Sequence, residues 1–161
     1  NGQIIGTWET LAHLEMVLGS YGGQIASFEW VFSPRGPDGR PMPLFNRTTG
    51  EIDPQVAQAW TNFDISRIVS ANWGTKGRDL QGKIHLYVGT EDTFYLDGPA
   101  RKFQAVLHSL HANAHFTFLE GRSHFDVYKI ENDPQGLFDV ISNEMYQSWL
   151  ATKSKTATAT H

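Results

Sequence analysis

Apolar residues in the first half of the chain recur mostly at helical spacing. The pattern predicts one helix over residues 7–18 and a second, shorter helix after Gly22, because apolar positions three or four residues apart share one helix face. The residues with this spacing are Leu11, Leu14 and Leu18 in the first helix and Ile25, Phe28 and Phe32 in the second. This part of the chain is therefore expected to be helical rather than part of a sheet.

The pattern changes between Ser33 and Ile52, where prolines and glycines alternate. Turn signals such as Asp38-Gly39 predict a long ordered loop or a small hairpin. Two aspartates then predict helix starts, Asp53 directly before Pro54 and Asp64 before a further short helix. We interpret residues 1–80 as a cap-like excursion of helices and loops.

Strands alternate with helices in the second half. A β-rich apolar run over residues 84–88 is ended by Gly89, and a second run covers residues 115–119. One helix is predicted between them, over residues 98–110, and another from Asp133-Pro134 onwards. This order predicts parallel strands joined by a right-handed crossover. We interpret residues 81–151 as the last βαβα unit of a parallel α/β sheet and residues 152–161 as a disordered tail.

Two strands are too few for the sheet of a domain, because both outer edges would stay unpaired. We therefore expect further strands, for which the first half of the chain offers few candidates. The N-terminal residues, Asn1-Gly2-Gln3-Ile4-Ile5, contain neither an initiator Met nor a signal peptide. The chain is accordingly expected to be part of a longer protein, and its localisation cannot be read from the sequence.

Composition narrows the classes of function. The chain has 161 residues, of which 40% are hydrophobic, as is typical of a globular protein. A net charge of −4 argues against a nucleic-acid partner, which would require a basic surface. No apolar run approaches the roughly 20 residues of a membrane span. Cysteine is absent, so disulfides and cysteine-based metal sites are excluded.

Candidate chemistry follows the two predicted strands. Asp92 comes shortly after the first strand and His124 shortly after the second. In parallel sheets, ligands bind beyond the carboxyl ends of the strands, and a carboxylate followed by a histidine is the late part of the Ser, Asp, His order of α/β-hydrolases. Such an Asp would orient the imidazole that accepts the proton of a serine nucleophile. We predict Asp92 as the acid, with Glu91 as its alternative, and His124 as the base.

Ser20 is the one serine in a motif similar to a nucleophile elbow. The stretch Leu18-Gly19-Ser20-Tyr21-Gly22-Gly23 resembles G-x-S-x-G, but Leu18 fills its first small position. An elbow also requires a preceding strand, whereas the pattern before Ser20 is helical. We interpret the stretch as a glycine-rich helix end and turn.

The histidines between His85 and His124 raise the question of a metal site. His111 and His115 are four residues apart, but His115 is predicted on a strand, so the pair would not share a helix face. We predict neither a metal nor a cofactor.

Several motifs together resemble a known family. They are the run Tyr21-Gly22-Gly23-Gln24-Ile25-Ala26-Ser27-Phe28-Glu29-Trp30-Val31-Phe32-Ser33-Pro34-Arg35-Gly36, the later run Gly82-Lys83-Ile84-His85-Leu86-Tyr87-Val88-Gly89-Thr90-Glu91-Asp92-Thr93-Phe94, and the closing Gly121-Arg122-Ser123-His124. Over roughly residues 7–128 the chain is similar to large, poorly characterised esterases of the α/β-hydrolase superfamily.

The resemblance implies the C-terminal half of an α/β-hydrolase fold. Asp92 and His124 match the acid and base positions of the family, and Ser20 does not match the nucleophile. The nucleophile would lie in the N-terminal part of the same protein, which would be the partner of this chain, and the substrate would be a small ester. Aromatic residues of the excursion would either line an acyl pocket or pack in the core: Trp30, Phe32 and Phe45. The alternative function is a non-catalytic α/β-hydrolase-like structural or binding domain.

Overall fold

The computed structural model describes residues 6–19 and 22–158, so the prediction for Ser20 lies outside the described residues. The protein is of mixed α/β class, and its described residues form helices and a small parallel sheet of two strands. In chain order the elements are α1 Trp8–Met16, α2 Gly23–Phe32, α3 Pro54–Trp60, a 3₁₀ turn Thr61–Phe63, α4 Ile65–Leu80, β1 Ile84–Gly89, α5 Asp97–Ser109, β2 Ala114–Leu119 and α6 Gly136–Thr158.

The chain divides into two compact units, Asn1–Asn72 and Trp73–His161. The division falls inside α4, whereas the sequence pattern placed the boundary after residue 80, where that helix ends. A hydrophobic pattern marks where a helix ends, but it does not show which half of the helix packs with which core.

The first unit has a small apolar core. Phe45 is 2% exposed and packs with Ala12 and Ile25. Of the two roles predicted for Phe45, the structure therefore shows packing in the core. The Pro- and Gly-rich loop is fixed to α2 by Glu29, whose buried carboxylate accepts hydrogen bonds from Arg47 Nη2 at 2.6 Å and from the backbone N–H of Leu44 at 2.7 Å. A buried carboxylate needs such donors to offset its lost hydration.

Glu15 performs a similar task at the start of α2. Gly22, the residue before the helix, has no side chain to cap it, and both carboxylate oxygens of Glu15 accept from the N–H of Ile25 at 3.0 and 3.1 Å. A negative charge at a helix N-terminus also interacts favourably with the helix dipole. The helices α1 and α2 are therefore joined by an ionic cap.

The two predicted helix starts at aspartates are present. Asp53 Oδ1 accepts from the N–H groups of Gln55 and Val56, and Asp64 Oδ1 accepts from Ser66 and Arg67. The prediction of a short helix after Asp64 is wrong, because α4 has 16 residues and continues through two glycines.

One of those glycines has a packing role. At Gly77 a Cβ atom would come within 2.8 Å of the Trp73 ring, so the glycine makes room for the indole. A residue that usually interrupts a helix is tolerated here because a neighbouring side chain needs the space.

The second unit is built on the parallel pairing of β1 with β2, as predicted. The register runs from Ile84 opposite Ala114 to Gly89 opposite Leu119. Helix α5 connects the strands and packs on one sheet face, with Phe103 lying 5.9 Å from Phe116 between ring centroids. Leu107 of α5 is 1% exposed and belongs to this packing.

The other sheet face is joined to α6 by a polar contact. Glu144 accepts from Tyr87 Oη at 2.6 Å and lies 2.8 Å from His85 Nδ1. Burial and then the nearby carboxylate raise the pKa of Tyr87 to about 12. The hydrogen bond from Tyr87 is the main cause that lowers the pKa of Glu144. The ionised carboxylate therefore connects β1 to α6.

Helix α6 begins later than the sequence predicted. The prediction placed its start at Asp133-Pro134, but Asp133 instead exchanges two backbone hydrogen bonds of 2.9 Å with Ile130, and the helix starts at Gly136. It continues to Thr158, into the stretch predicted as a disordered tail, and residues 159–161 lie outside the described part of the chain.

Both strands of the sheet keep an unpaired outer edge within the described residues. In the same residues no helix has the length and apolar character required to cross a bilayer.

Substitution of Gly89 by Ala is expected to destabilise the second unit by about 3 kcal/mol, because the new Cβ would lie 2.0 Å from the carbonyl oxygen of Arg122. The matched control is Gly74→Ala in α4, where nothing lies within 4 Å and a gain of about 0.5–1 kcal/mol is expected. Urea unfolding followed by circular dichroism checks both values. Equal effects of the two substitutions would contradict this account of Gly89.

Candidate active site

Asp92 and His124 lie together at the carboxyl ends of the two parallel strands. Nδ1 of His124 is 2.9 Å from Oδ2 of Asp92, within hydrogen-bond distance. The carboxylate can only accept, so the imidazole donates from Nδ1 and its other nitrogen, Nε2, is left to accept a proton. The two residues predicted from the strand ends therefore form a hydrogen-bonded Asp–His pair.

The acid of this pair is buried and held by its own loop. The Asp92 side chain is 4% exposed, and its Oδ1 accepts from the backbone N–H groups of Phe94 at 2.8 Å and Leu96 at 3.3 Å. Burial by itself would raise the pKa of Asp92, but the hydrogen bonds from His124, Phe94 and Leu96 outweigh it and hold the pKa below 3.8. The carboxylate is accordingly ionised near neutral pH.

Glu91, the alternative acid, does not contact His124. It is exposed, and its backbone N–H donates to the carbonyl oxygen of Arg122 at 3.0 Å. Glu91 thus faces solvent, whereas Asp92 is buried against the imidazole. Of the two carboxylates, the structure brings only Asp92 to His124.

The loop that carries Asp92 and the loop that carries His124 are held together by contacts that do not involve either of these two side chains. The N–H of Thr90 donates to the carbonyl of Leu119 at 3.0 Å, which extends the strand pairing by one step. Thr90 Oγ1 accepts from the N–H of Gly121 at 2.8 Å, and Gly121 has a positive φ of 67° that favours glycine. Arg122 passes so close to Gly89 that no side chain fits there. These contacts fix the distance between the two loops.

A second aspartate fixes the local shape of the histidine loop. Oδ1 of Asp126 accepts from the N–H of Ser123 at 2.6 Å and from its hydroxyl at 2.7 Å, and Arg122 lies 3.7 Å from the other carboxylate oxygen. The hydrogen bonds from Ser123 are the main cause that lowers the pKa of Asp126. His124 lies within this turn, so the turn limits where its ring can point.

The base is open to solvent between two phenylalanines. The His124 side chain is 41% exposed, and within the described residues its Nε2 makes no hydrogen bond. The Phe94 ring lies 4.9 Å from the imidazole at 84°, and the Phe125 ring lies 5.6 Å from it at 85°. Neither phenylalanine was predicted from the sequence as a site residue. The available signal was an aromatic residue close after each predicted site residue, in loops where polar residues are usual.

The described part of the chain contains no serine in contact with His124 Nε2. The serine nearest to it in sequence, Ser123, is bound to Asp126 instead. No group of three or more His, Asp or Glu side chains within residues 6–19 and 22–158 is arranged to hold a metal ion. A cleft of about 460 Å³ lies elsewhere in the second unit, lined among others by His85, Glu144 and Trp149, and it includes neither Asp92 nor His124.

Comparisons with protein-family models, with curated protein sequences and with solved structures found no match to this chain. The resemblance to esterases of the α/β-hydrolase superfamily therefore stays a prediction from the sequence motifs. The class of protein that the fold and the site define is an α/β protein with an Asp–His pair at the end of a parallel sheet.

The substitution Asp92→Asn is expected to lower stability near neutral pH by about 1–3 kcal/mol, because the imidazole and two N–H groups lose their ionised acceptor. The folded pKa of Asp92 is lowered, so its stabilising contribution is complete above 3.8 and is lost as the pH falls through that lowered value. Urea unfolding at about pH 7 and about pH 3 checks this. The difference in the free energy of unfolding between wild type and variant should shrink at the lower pH. The control is Asp79→Asn, a change of an exposed aspartate.

Proposed function

We propose that this chain is the C-terminal part of a serine esterase-type hydrolase, in which Asp92 and His124 are the acid and base of a Ser-Asp-His triad. The single observation that carries the proposal is the hydrogen bond of 2.9 Å between a buried carboxylate and an imidazole with a free Nε2. The serine is supplied by polypeptide outside this chain, which we take to be the N-terminal part of the same protein.

The chemistry assigns one proton path to His124. Its Nε2 accepts the proton of the serine hydroxyl while the serine oxygen attacks the carbonyl carbon of an ester. Asp92 stabilises the imidazolium that forms and keeps Nδ1 as the donor. The imidazolium then gives its proton to the leaving alcohol, and a water molecule repeats the sequence to release the acid. The lowered pKa of Asp92 supports this role, since the carboxylate stays ionised throughout.

The small size of the sheet supports the need for a further polypeptide. Parallel sheets normally have both faces covered and more than two strands, whereas β1 and β2 pair only with each other in the described residues. An N-terminal part carrying the nucleophile would also supply the missing strands. One partner thus accounts for both the missing serine and the open edges.

The alternative is a non-catalytic structural or binding domain of the same class. One observation favours it: the Asp92–His124 bond adds to a set of contacts that already joins the two loops, including Thr90 with Gly121. In that case His124 would close the sheet end and accept no proton.

The two functions are distinguished by labelling with a fluorophosphonate serine probe and intact-mass spectrometry of the purified material. The proposal expects label on a second, co-purifying polypeptide. His124→Ala and Asp92→Asn should slow labelling by about 10³-fold or more, because the serine loses its base or the base loses its orientation. His108→Ala, a change of an exposed histidine on α5, should have no effect.

Two results would contradict the proposal. Label on this chain that disappears with Ser20→Ala would indicate a self-contained hydrolase. No label on any polypeptide, with Asp92 and His124 intact, would favour the non-catalytic domain.

The open sheet edges give a separate prediction about stability. The isolated chain is expected to have a low free energy of unfolding or to self-associate, because unpaired edges pair with other chains. A companion polypeptide should raise the unfolding midpoint and yield a defined complex. Analytical ultracentrifugation with urea unfolding checks this, and a stable monomer that unfolds cooperatively without a companion would contradict it.

A further inference from the structure

We propose that Phe94 and Phe125 form an aromatic subsite that binds an apolar, preferably aryl, group of the substrate beside the reacting carbonyl. The proposal rests on the proposed function, because it names the substrate class of the same site. It is carried by the geometry of three rings at the ends of β1 and β2.

The rings form a corner that opens to solvent. The imidazole of His124 stands nearly perpendicular to both phenyl rings, and the two phenyl centroids are 5.9 Å apart. Phe94 is 52% exposed and Phe125 is 73% exposed. A group that approaches Nε2 of His124 therefore meets two apolar surfaces that are not covered within the described part of the chain.

Each phenylalanine is fixed by the same loop that fixes its neighbouring site residue. The N–H of Phe94 donates to Asp92 at 2.8 Å, so the backbone that orders the acid also sets the position of the Phe94 ring. The N–H of Phe125 donates to Ser123 Oγ at 3.3 Å, within the turn held by Asp126. The backbone that carries the two rings is thus held in place relative to the imidazole.

The chemistry of these surfaces selects the ligand. Phenyl rings offer apolar area and prefer offset or edge-to-face contact with another ring. Neither Phe94 nor Phe125 brings a positive charge or a hydrogen-bond donor, so an anionic group would gain nothing from them and would lose hydration. An ester with an aryl or bulky alkyl group next to its carbonyl fits this corner, and an acetate-sized acyl group would leave it uncovered.

The test uses acetophenone, a ketone that resembles a benzoate ester and cannot be hydrolysed, with acetone as the matched small probe. Binding is followed by the NMR signal of the His124 imidazole, identified by its loss in His124→Ala, in the material as purified with any companion polypeptide retained. Acetophenone is expected to shift this signal with an affinity at least about tenfold higher than that of acetone.

Phe125→Ala should weaken acetophenone about tenfold without changing acetone, and Phe94→Ala serves as the second variant. Phe138→Ala is the control, since Phe138 is also half-exposed but stacks on Tyr128. Equal affinities for the two ketones, or an unchanged acetophenone affinity in both variants, would overturn the subsite. Release of a companion polypeptide by Phe125→Ala, together with equal affinities for the two ketones, would also overturn the subsite. In that case the rings would contact a protein partner and not the substrate.

The serine probe separates this inference from the proposed function. Labelling that depends on His124 but is accompanied by no ketone preference retains the esterase proposal and overturns only the subsite. Labelling that does not depend on His124 overturns the esterase proposal and with it the subsite.

Discussion

The parallel register of β1 and β2 is the constraint on which the candidate site depends. Gly89 pairs with Leu119 at the last step of the ladder. The loops that follow β1 and β2 therefore leave the sheet side by side. The absent side chain at position 89 lets the carbonyl of Arg122 pass where a Cβ would otherwise stand. A pairing shifted by one residue would turn alternate side chains to the opposite face and separate the carboxylate from the imidazole.

In the described residues of the second unit, two contacts join a carboxylate to a histidine Nδ1, and their surroundings give them different roles. In the contact of His85 with Glu144, the other imidazole nitrogen lies 3.4 Å from the carbonyl oxygen of Gly82, and the carboxylate is 37% exposed. Both nitrogens of His85 therefore have partners, and the contact connects α6 to β1. In the contact of His124 with Asp92 the carboxylate is 4% exposed and the imidazole is half-open. Proton transfer requires the second arrangement, because the acid is shielded while the base can reach a reacting group.

Much of the second unit was predictable from sequence because its signals are local. Compact apolar runs ended by glycine or turns placed β1 and β2 to within a residue, and their order fixed the parallel pairing. Since parallel strands end at the same edge, the proximity of Asp92 and His124 followed from the same argument. The extent of α4 was not predictable, because whether Gly77 ends a helix depends on the packing of Trp73. The start of α6 was missed for a similar reason, since Asp133 forms a turn with Ile130 instead of capping the helix.

Closure of the sheet end does not by itself explain the phenylalanines beside His124. Closing the sheet end requires only contacts between the loops, and two hydrogen bonds already supply these: Gly121 N–H donates to Thr90 Oγ1, and Thr90 N–H donates to the carbonyl oxygen of Leu119. A ring that is 73% exposed, such as Phe125, adds little to such closure, because most of its apolar area still faces water. Its position beside a free imidazole nitrogen has a physical benefit only when something apolar approaches that nitrogen. In the proposed esterase, an acyl group next to the reacting carbonyl would be such an occupant, and it would cover the rings at the same moment as it reaches His124.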